Sequence, residues 1–203
     1  MLHYNTIAPH TLELVKGLFT YPEFASCRLV GGTALALQYG HRTSVDLNVF
    51  GMFDGDRTLL THLLGELGSV SLVHSNRFMS VYDLDQVKLD VVNYTIPWID
   101  EPIVEEGLVL ASPKDIAAMK VNAIIGRGSR KDFIDLYFLL QHYSLNQILG
   151  YFCQKYPDVD NFIVLRSIMF FEDADRQRMP QMFDDTDWQT MKDYIVEQAV
   201  ALL

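Results

Sequence analysis

Two short groups of residues could do chemistry together: Gly31-Gly32-Thr33, and Asp46-x-Asn48 thirteen residues on from Thr33. Adjacent glycines let backbone N–H groups come close to a phosphate, and a helix N-terminus beside them favours the anion. Thr33 adds a hydroxyl. Side chains at i and i+2 on a strand share one face, so Asp46 and Asn48 can offer oxygen donors to a divalent cation over that phosphate.

These groups need elements to position them. Arg28 to Val30 reads as a strand, and Thr33 opens a short apolar helix that stops near Gly40. His41, Arg42, Thr43 and Ser44 form a polar loop. From Val45 to Phe50 the pattern alternates, with Val45, Leu47 and Val49 on one side and Asp46 and Asn48 on the other. The plain alternative is a strand–turn–helix unit whose glycine serves only a positive φ. Pro9 to Thr20 and Thr58 to Leu67 read as helices, with Asp54 and Asp56 in a turn-rich loop between strand and helix. Val70 to Val73, Phe78 to Leu84 and Val87 to Val92 read as strands, with Asp85-Gln86 as a hairpin turn. Asp90 then sits mid-strand on a polar face. Taken alone, it reads as an edge carboxylate in water.

Trp98 to Glu106, rich in proline and acid, reads as a connection between an α/β part, residues 1–106, and a helical part, residues 107–203. Ser112-Pro113 starts a helix as N-cap and first position, with Ile116, Met119 and Ala123 as its apolar face. Lys120 and Arg127 project near the direction of Ile116 if the helix outlasts Gly126. They could meet a triphosphate or snorkel at a helix end. Ser129 is placed to cap a second helix, on which Lys131, Asp132 and Asp135 lie opposite the apolar side and read as a solvated face. Leu145 to Lys155 and Asn161 to Phe170 read as helices, 171–188 as a polar surface loop, and Trp188 to Leu202 as a closing amphipathic helix.

The net charge of −10 speaks against non-specific binding to DNA or RNA through phosphate neutralisation, though a local basic patch could serve one RNA end or one triphosphate. Cys27 and Cys153 lack metal spacing and suggest a reducing compartment. No apolar run reaches the roughly 20 residues of a membrane span, and MLHYNTIAPH lacks the features of a signal peptide. The expectation is a cytoplasmic protein with no membrane partner.

GGTALALQYGHRTSVDL resembles the first motif of the DNA polymerase beta-like nucleotidyltransferase superfamily, and looks closest to its AbiEii/AbiGii toxin branch. MKVNAIIGRGSRKDFIDLYFLL resembles the second signature of that branch, in the right order. The resemblance implies an α+β nucleotidyltransferase fold: a mixed sheet of about five strands flanked by helices, followed by a helical C-terminal half that closes over the site. It implies transfer of a nucleoside monophosphate from an NTP to an acceptor on RNA or protein, with one or two Mg2+ ions as cofactor and an antitoxin as partner. By resemblance Asp46, Asn48 and Asp90 are the catalytic and metal positions. Gly31, Gly32, Thr33, Arg42, Ser44, Lys120 and Arg127 would contact nucleotide phosphates. Lys131, Asp132 and Asp135 would line the site or orient those cations.

The superfamily has a carboxylate where this chain has Asn48. An amide carries one acceptor oxygen and no charge, so it bridges two cations poorly. Asp54, Asp56 or Asp85 could supply the charge, or the protein could work with one ion. A further alternative is an impaired module that binds nucleotide or a protein partner without turnover.

Overall fold

The computed structural model describes residues 1–202, with the backbone alone for Asn161. They divide into two units: Met1–Ile96 with Glu101–Ala111, and Pro97–Asp100 with Ser112–Leu203.

The first unit follows the alternating patterns closely. Its helices are α1 (Pro9–Leu18), α2 (Gly31–Tyr39) and α3 (Arg57–Leu67). Its strands are β1 (Arg28–Leu29), β2 (Leu47–Gly51), β3 (Val70–Ser75), β4 (Met79–Leu84), β5 (Val87–Asn93), β6 (Ile103–Glu105) and β7 (Leu108–Leu110). They form one mixed sheet in the order β3-β4-β5-β2-β1-β7-β6. Seven strands replace the five or so expected. The additional hairpin, β6–β7, lies partly in the stretch read as a connection, because three-residue strands are too short to show a period and Pro102 and the acids mask them. Its turn has positive φ at Glu106 (49°) and Gly107 (82°), as tight hairpins require. Asp85 and Gln86 make the β4–β5 turn the same way, with φ of 50° and 66°.

Burial sets the register. Leu47 of β2, Leu89 of β5 and Tyr82 of β4 pair across the sheet and are fully buried on the same face. There Thr61 of α3 bonds the Tyr82 hydroxyl at 2.9 Å. A one-residue slip would turn that apolar set outward and carry Asn48 and Asp90 inward, at about 1.5–3 kcal/mol for each large apolar side chain exposed. Val45 lies ahead of the ladder and is 60 % exposed, rather than facing inward with Leu47 as its place in the alternation suggests.

The second unit is helical: α4 (Pro113–Gly126), α5 (Arg130–Leu140), α6 (Leu145–Lys155), α7 (Asn161–Ile168), α8 (Glu172–Asp175) and α9 (Trp188–Val200). Ser112 caps α4 through the Asp115 N–H at 3.1 Å, and Ser144 with Gln147 closes a capping box on α6. The expected face of α4 needs correction, since Met119 and Ala123 are only half-buried while Ala117, Val121 and Ile124 are buried. Residues 171–188 are also more than a surface loop. The Phe133 ring lies 4.7 Å from that of Phe171 and 6.3 Å from that of Trp188, and Arg130 donates to the Ala174 and Asp175 carbonyls at 2.9 and 2.8 Å. Aromatic burial holds the segment where its polarity suggested water.

A buried ion pair, not anticipated from the sequence, fixes the start of this unit. Lys155 and Asp115 are both fully buried and meet at 2.7 Å. Lys155 also donates to the Pro97 carbonyl at 2.8 Å, and Asp115 accepts the N–H groups of Ile99 and Asp100 at 2.9 and 3.3 Å.

Candidate functional site

β1 delivers the chain to Gly31, where φ is +71° and α2 begins two residues earlier than Thr33. A side chain here would be strained, and a Cβ would stand 3.3 Å from the Asn48 amide nitrogen. The glycine turn therefore lies directly against Asn48. The N-cap of α2 is Val30, which makes no side-chain capping hydrogen bond, so no side chain of the N-cap shields the N–H groups at this helix start.

Three residues expected to touch phosphate are bonded within the loop. Thr33 is buried, donates to the Asp46 carbonyl and shares a 2.8 Å hydrogen bond with the Ser44 hydroxyl. Arg42 is 1 % exposed and donates to the Thr43 carbonyl at 2.9 Å. Its guanidinium packs over Gly32, where a Cβ would come within 2.2 Å of Nη2. Gly32 thus makes room for a buried cation, a role its place in the motif did not reveal.

β2 and β5 run parallel, with Asn48 paired to Asp90. Asp46 stands two residues ahead of Asn48, just outside the ladder. At strand spacing and rise, the Cα atoms of Asp46 and Asp90 are about 8 Å apart. Asp46 and Asn48 are both half-buried. The Asp90 side chain is 15 % exposed and its Oδ2 accepts from Lys88 Nζ at 2.7 Å. Asp90 Oδ1 is buried without a hydrogen-bond partner. Such an acceptor is costly unless something binds it. Two carboxylates and an amide carbonyl, one oxygen of them unsatisfied, suit a single hard divalent cation whose shell is completed by phosphate oxygens and water.

Among the described residues no group of three or more His, Cys, Asp or Glu side chains is arranged to hold a metal. Asp56 caps α3 through the Leu59 N–H at 2.8 Å, and Asp85 accepts the Ser69 N–H at 2.8 Å. Asp85 is five residues along the hairpin from Asp90, about 16 Å at strand rise. Asp54 is exposed in the loop after β2.

The other residues singled out belong to the second unit and form an ion cluster. Lys120 Nζ lies 3.1 Å from Asp132 and 2.5 Å from Asp135, with Lys120 nearly buried and both carboxylates fully so. Arg127 grips Asp132 with Nε at 2.8 Å and Nη2 at 2.9 Å, and Ser129 donates to it at 2.6 Å rather than capping α5. Burial opposes the charge on Asp132, but Lys120, Arg127 and Ser129 overcome it and hold the carboxyl well below its usual range. The expected solvated face is thus half wrong. Lys131 is exposed, while Asp132 and Asp135 point inward because a lysine on the neighbouring helix neutralises them. Lys120 has two of its three ammonium donors engaged within the cluster.

No helix among the described residues is long and apolar enough to cross a membrane. Residues 13–201 match the family model described as Nucleotidyl transferase AbiEii toxin, Type IV TA system. An uncharacterized protein of Aquifex aeolicus (strain VF5), aq_aa25, is 31 % identical in an alignment of 174 positions that covers 82 % of each chain. A putative nucleotidyltransferase from H. pylori has a similar structure at a TM-score of 0.62 and 20 % identity, covering 95 % of this chain and 91 % of that one. MenT4, a nucleotidyltransferase toxin of Mycobacterium tuberculosis H37Rv, aligns at 0.57 and 12 % identity over 94 % of this chain and 80 % of its own. At such identities these structures speak to the fold, an α+β nucleotidyltransferase fold. With a glycine turn set against Asp46-x-Asn48 and a family model spanning nearly its whole length, this chain belongs to the AbiEii nucleotidyltransferase toxin family.

Proposed function

We propose that the protein transfers a nucleoside monophosphate from an NTP to a hydroxyl of an RNA or protein acceptor, releasing pyrophosphate. The observation that carries this reading is the pairing of Asn48 with Asp90 on adjacent strands, with Gly31 packed against Asn48. A bound Mg2+ neutralises triphosphate charge and polarises the transferred phosphoryl group. Asp46 and the unpartnered Oδ1 of Asp90 would hold it, and Asn48 would lend a neutral carbonyl. The start of α2 at Gly31-Gly32 takes the phosphates through backbone N–H groups and the helix dipole. With a net charge of −10, the protein recognises an acceptor locally rather than by bulk attraction to nucleic acid. In this reading it is a cytoplasmic toxin held in check by an antitoxin.

Asn48 favours a second reading, in which the pocket binds NTP and turns it over slowly or not at all. Titration calorimetry with ATP, GTP, CTP and UTP, with and without Mg2+, tests the first step. Mg2+-dependent binding of at least one NTP, lost in Asp46→Ala, is the expected result. No binding of any NTP would overturn both readings. Asn48→Asp is expected to raise pyrophosphate release by at least about tenfold, in line with the effect of losing a metal-site ligand. Unchanged release in that variant, with NTP binding intact, would favour the binding module.

A further inference from the structure

Lys88 lies two residues before Asp90 on β5, so the strand period puts both on the face that carries Asn48. Its pairing partner on β4 is Asp83. On the other side, the ladder with β2 begins at Leu47–Leu89, and Asp46 lies just ahead of it. Lys88 thus has Asp90 on its own strand and Asp83 across from it. Asp83 accepts the Gln86 N–H at 3.0 Å, and the Lys88 ammonium rests on Asp90 at 2.7 Å. An ion pair in open water contributes little, but here the acceptor is only 15 % exposed and its other oxygen is buried without a partner. Asp46, Asp90 and Lys88 together leave one net negative charge beside the neutral Asn48. That is too little to hold two divalent cations side by side.

We propose that Lys88 is a built-in counter-cation of this site. It occupies one oxygen of Asp90, stands in for one of two metal ions, and so limits the site to a single divalent cation. Lys88 and Asn48 are then two halves of one adjustment, a charge gained and a charge lost on the same sheet face. Lys88 is a positioning residue that acts through Asp90. The inference rests on the metal-binding reading above.

The test counts Mn2+ ions bound to the full chain, by electron paramagnetic resonance of the free ion, without nucleotide. Wild type is expected to bind one ion. Lys88→Gln frees the second oxygen of Asp90 and should tighten binding about tenfold, while Lys88→Arg keeps the charge and should stay within about threefold of wild type. The double variant Lys88→Gln/Asn48→Asp should bind two ions. Lys88 is half-exposed, and unchanged circular dichroism separates these effects from misfolding. If Asp46→Ala abolishes binding but Lys88→Gln leaves affinity unchanged or weaker, the role of Lys88 is overturned and the metal site stands. Two ions in wild type overturn it as well. If no form binds Mn2+, or Asp46→Ala binds it as wild type does, the metal reading itself falls and takes Lys88 with it.

Discussion

Asp132→Asn distinguishes a structural from a ligand-contacting role for the cluster around Lys120. Asp132 is fully buried and receives Lys120, two nitrogens of Arg127 and the Ser129 hydroxyl. The amide removes the charge and turns an N–H2 group toward two cations. Breaking a buried pair costs about 3–5 kcal/mol. Lys120 keeps Asp135 at 2.5 Å, and Arg127 is 67 % exposed and can turn to water, so the loss belongs at the lower end, about 3 kcal/mol. Urea unfolding read by tryptophan fluorescence is a suitable assay, because both tryptophans, Trp98 and Trp188, belong to the second unit. With a slope near 2 kcal/mol/M the midpoint should fall by about 1.5 M. A fall below about 0.3 M at unchanged slope would refute a structural cluster and return Lys120 to the role of a nucleotide contact. The acid limb gives an independent check. The folded carboxyl ionises below its usual range, so its stabilisation is complete above the unfolded value of about 4 and is lost as pH falls from there toward the folded one. Wild type should therefore lose stability below about pH 4 more steeply than Asp132→Asn.

Other perturbations probe the remaining contacts. Gly32→Ala puts a methyl 2.2 Å from a buried guanidinium nitrogen and should cost about 1–3 kcal/mol, read as a lower urea midpoint. Lys155→Met leaves Asp115 buried but still bonded to Ser112, Ile99 and Asp100, so about 3 kcal/mol should go, or roughly 10 °C in a thermal melt. Burial pushes the Cys27 thiol up to about 11, so it should resist a disulfide-exchange reagent at pH 8 in the folded protein and react on addition of urea.

The site's outline could be read from the sequence because its signals are local. The positive φ at Gly31 and the period of two that puts Asp46 and Asn48 on one side are local, whereas Asp90 stands out only through the family resemblance. The partners of each residue could not be read this way. Asp132 and Asp135 look solvated on a helical wheel because the wheel knows nothing of Lys120 on the preceding helix. That Arg42 is buried over Gly32 is invisible in the sequence, because nothing local marks the space the glycine leaves. Asp115 and Lys155 are 40 residues apart, and each alone resembles ordinary surface charge. Lys88 was visible two residues before Asp90, but only the cross-strand register shows how many carboxylates surround it. The fold class came with the family resemblance and alternation placed most of its strands, but the β6–β7 hairpin escaped because its strands are shorter than any period.

The parallel pairing of β2 with β5 also bears on the order of folding. Asn48 and Asp90 meet only after α3 and the β3–β4–β5 meander between them have closed a long loop. Closing it costs entropy that a hairpin does not incur, and long-range parallel pairing is slow. The β4–β5 hairpin, turning on Asp85 and Gln86, needs no such closure and can form within microseconds. It then offers its outer edge as the template on which β2 docks. The face that carries Asn48 and Asp90 is therefore among the last parts of the sheet to form, and a chain still folding carries Asp46 and Asp90 on separate segments.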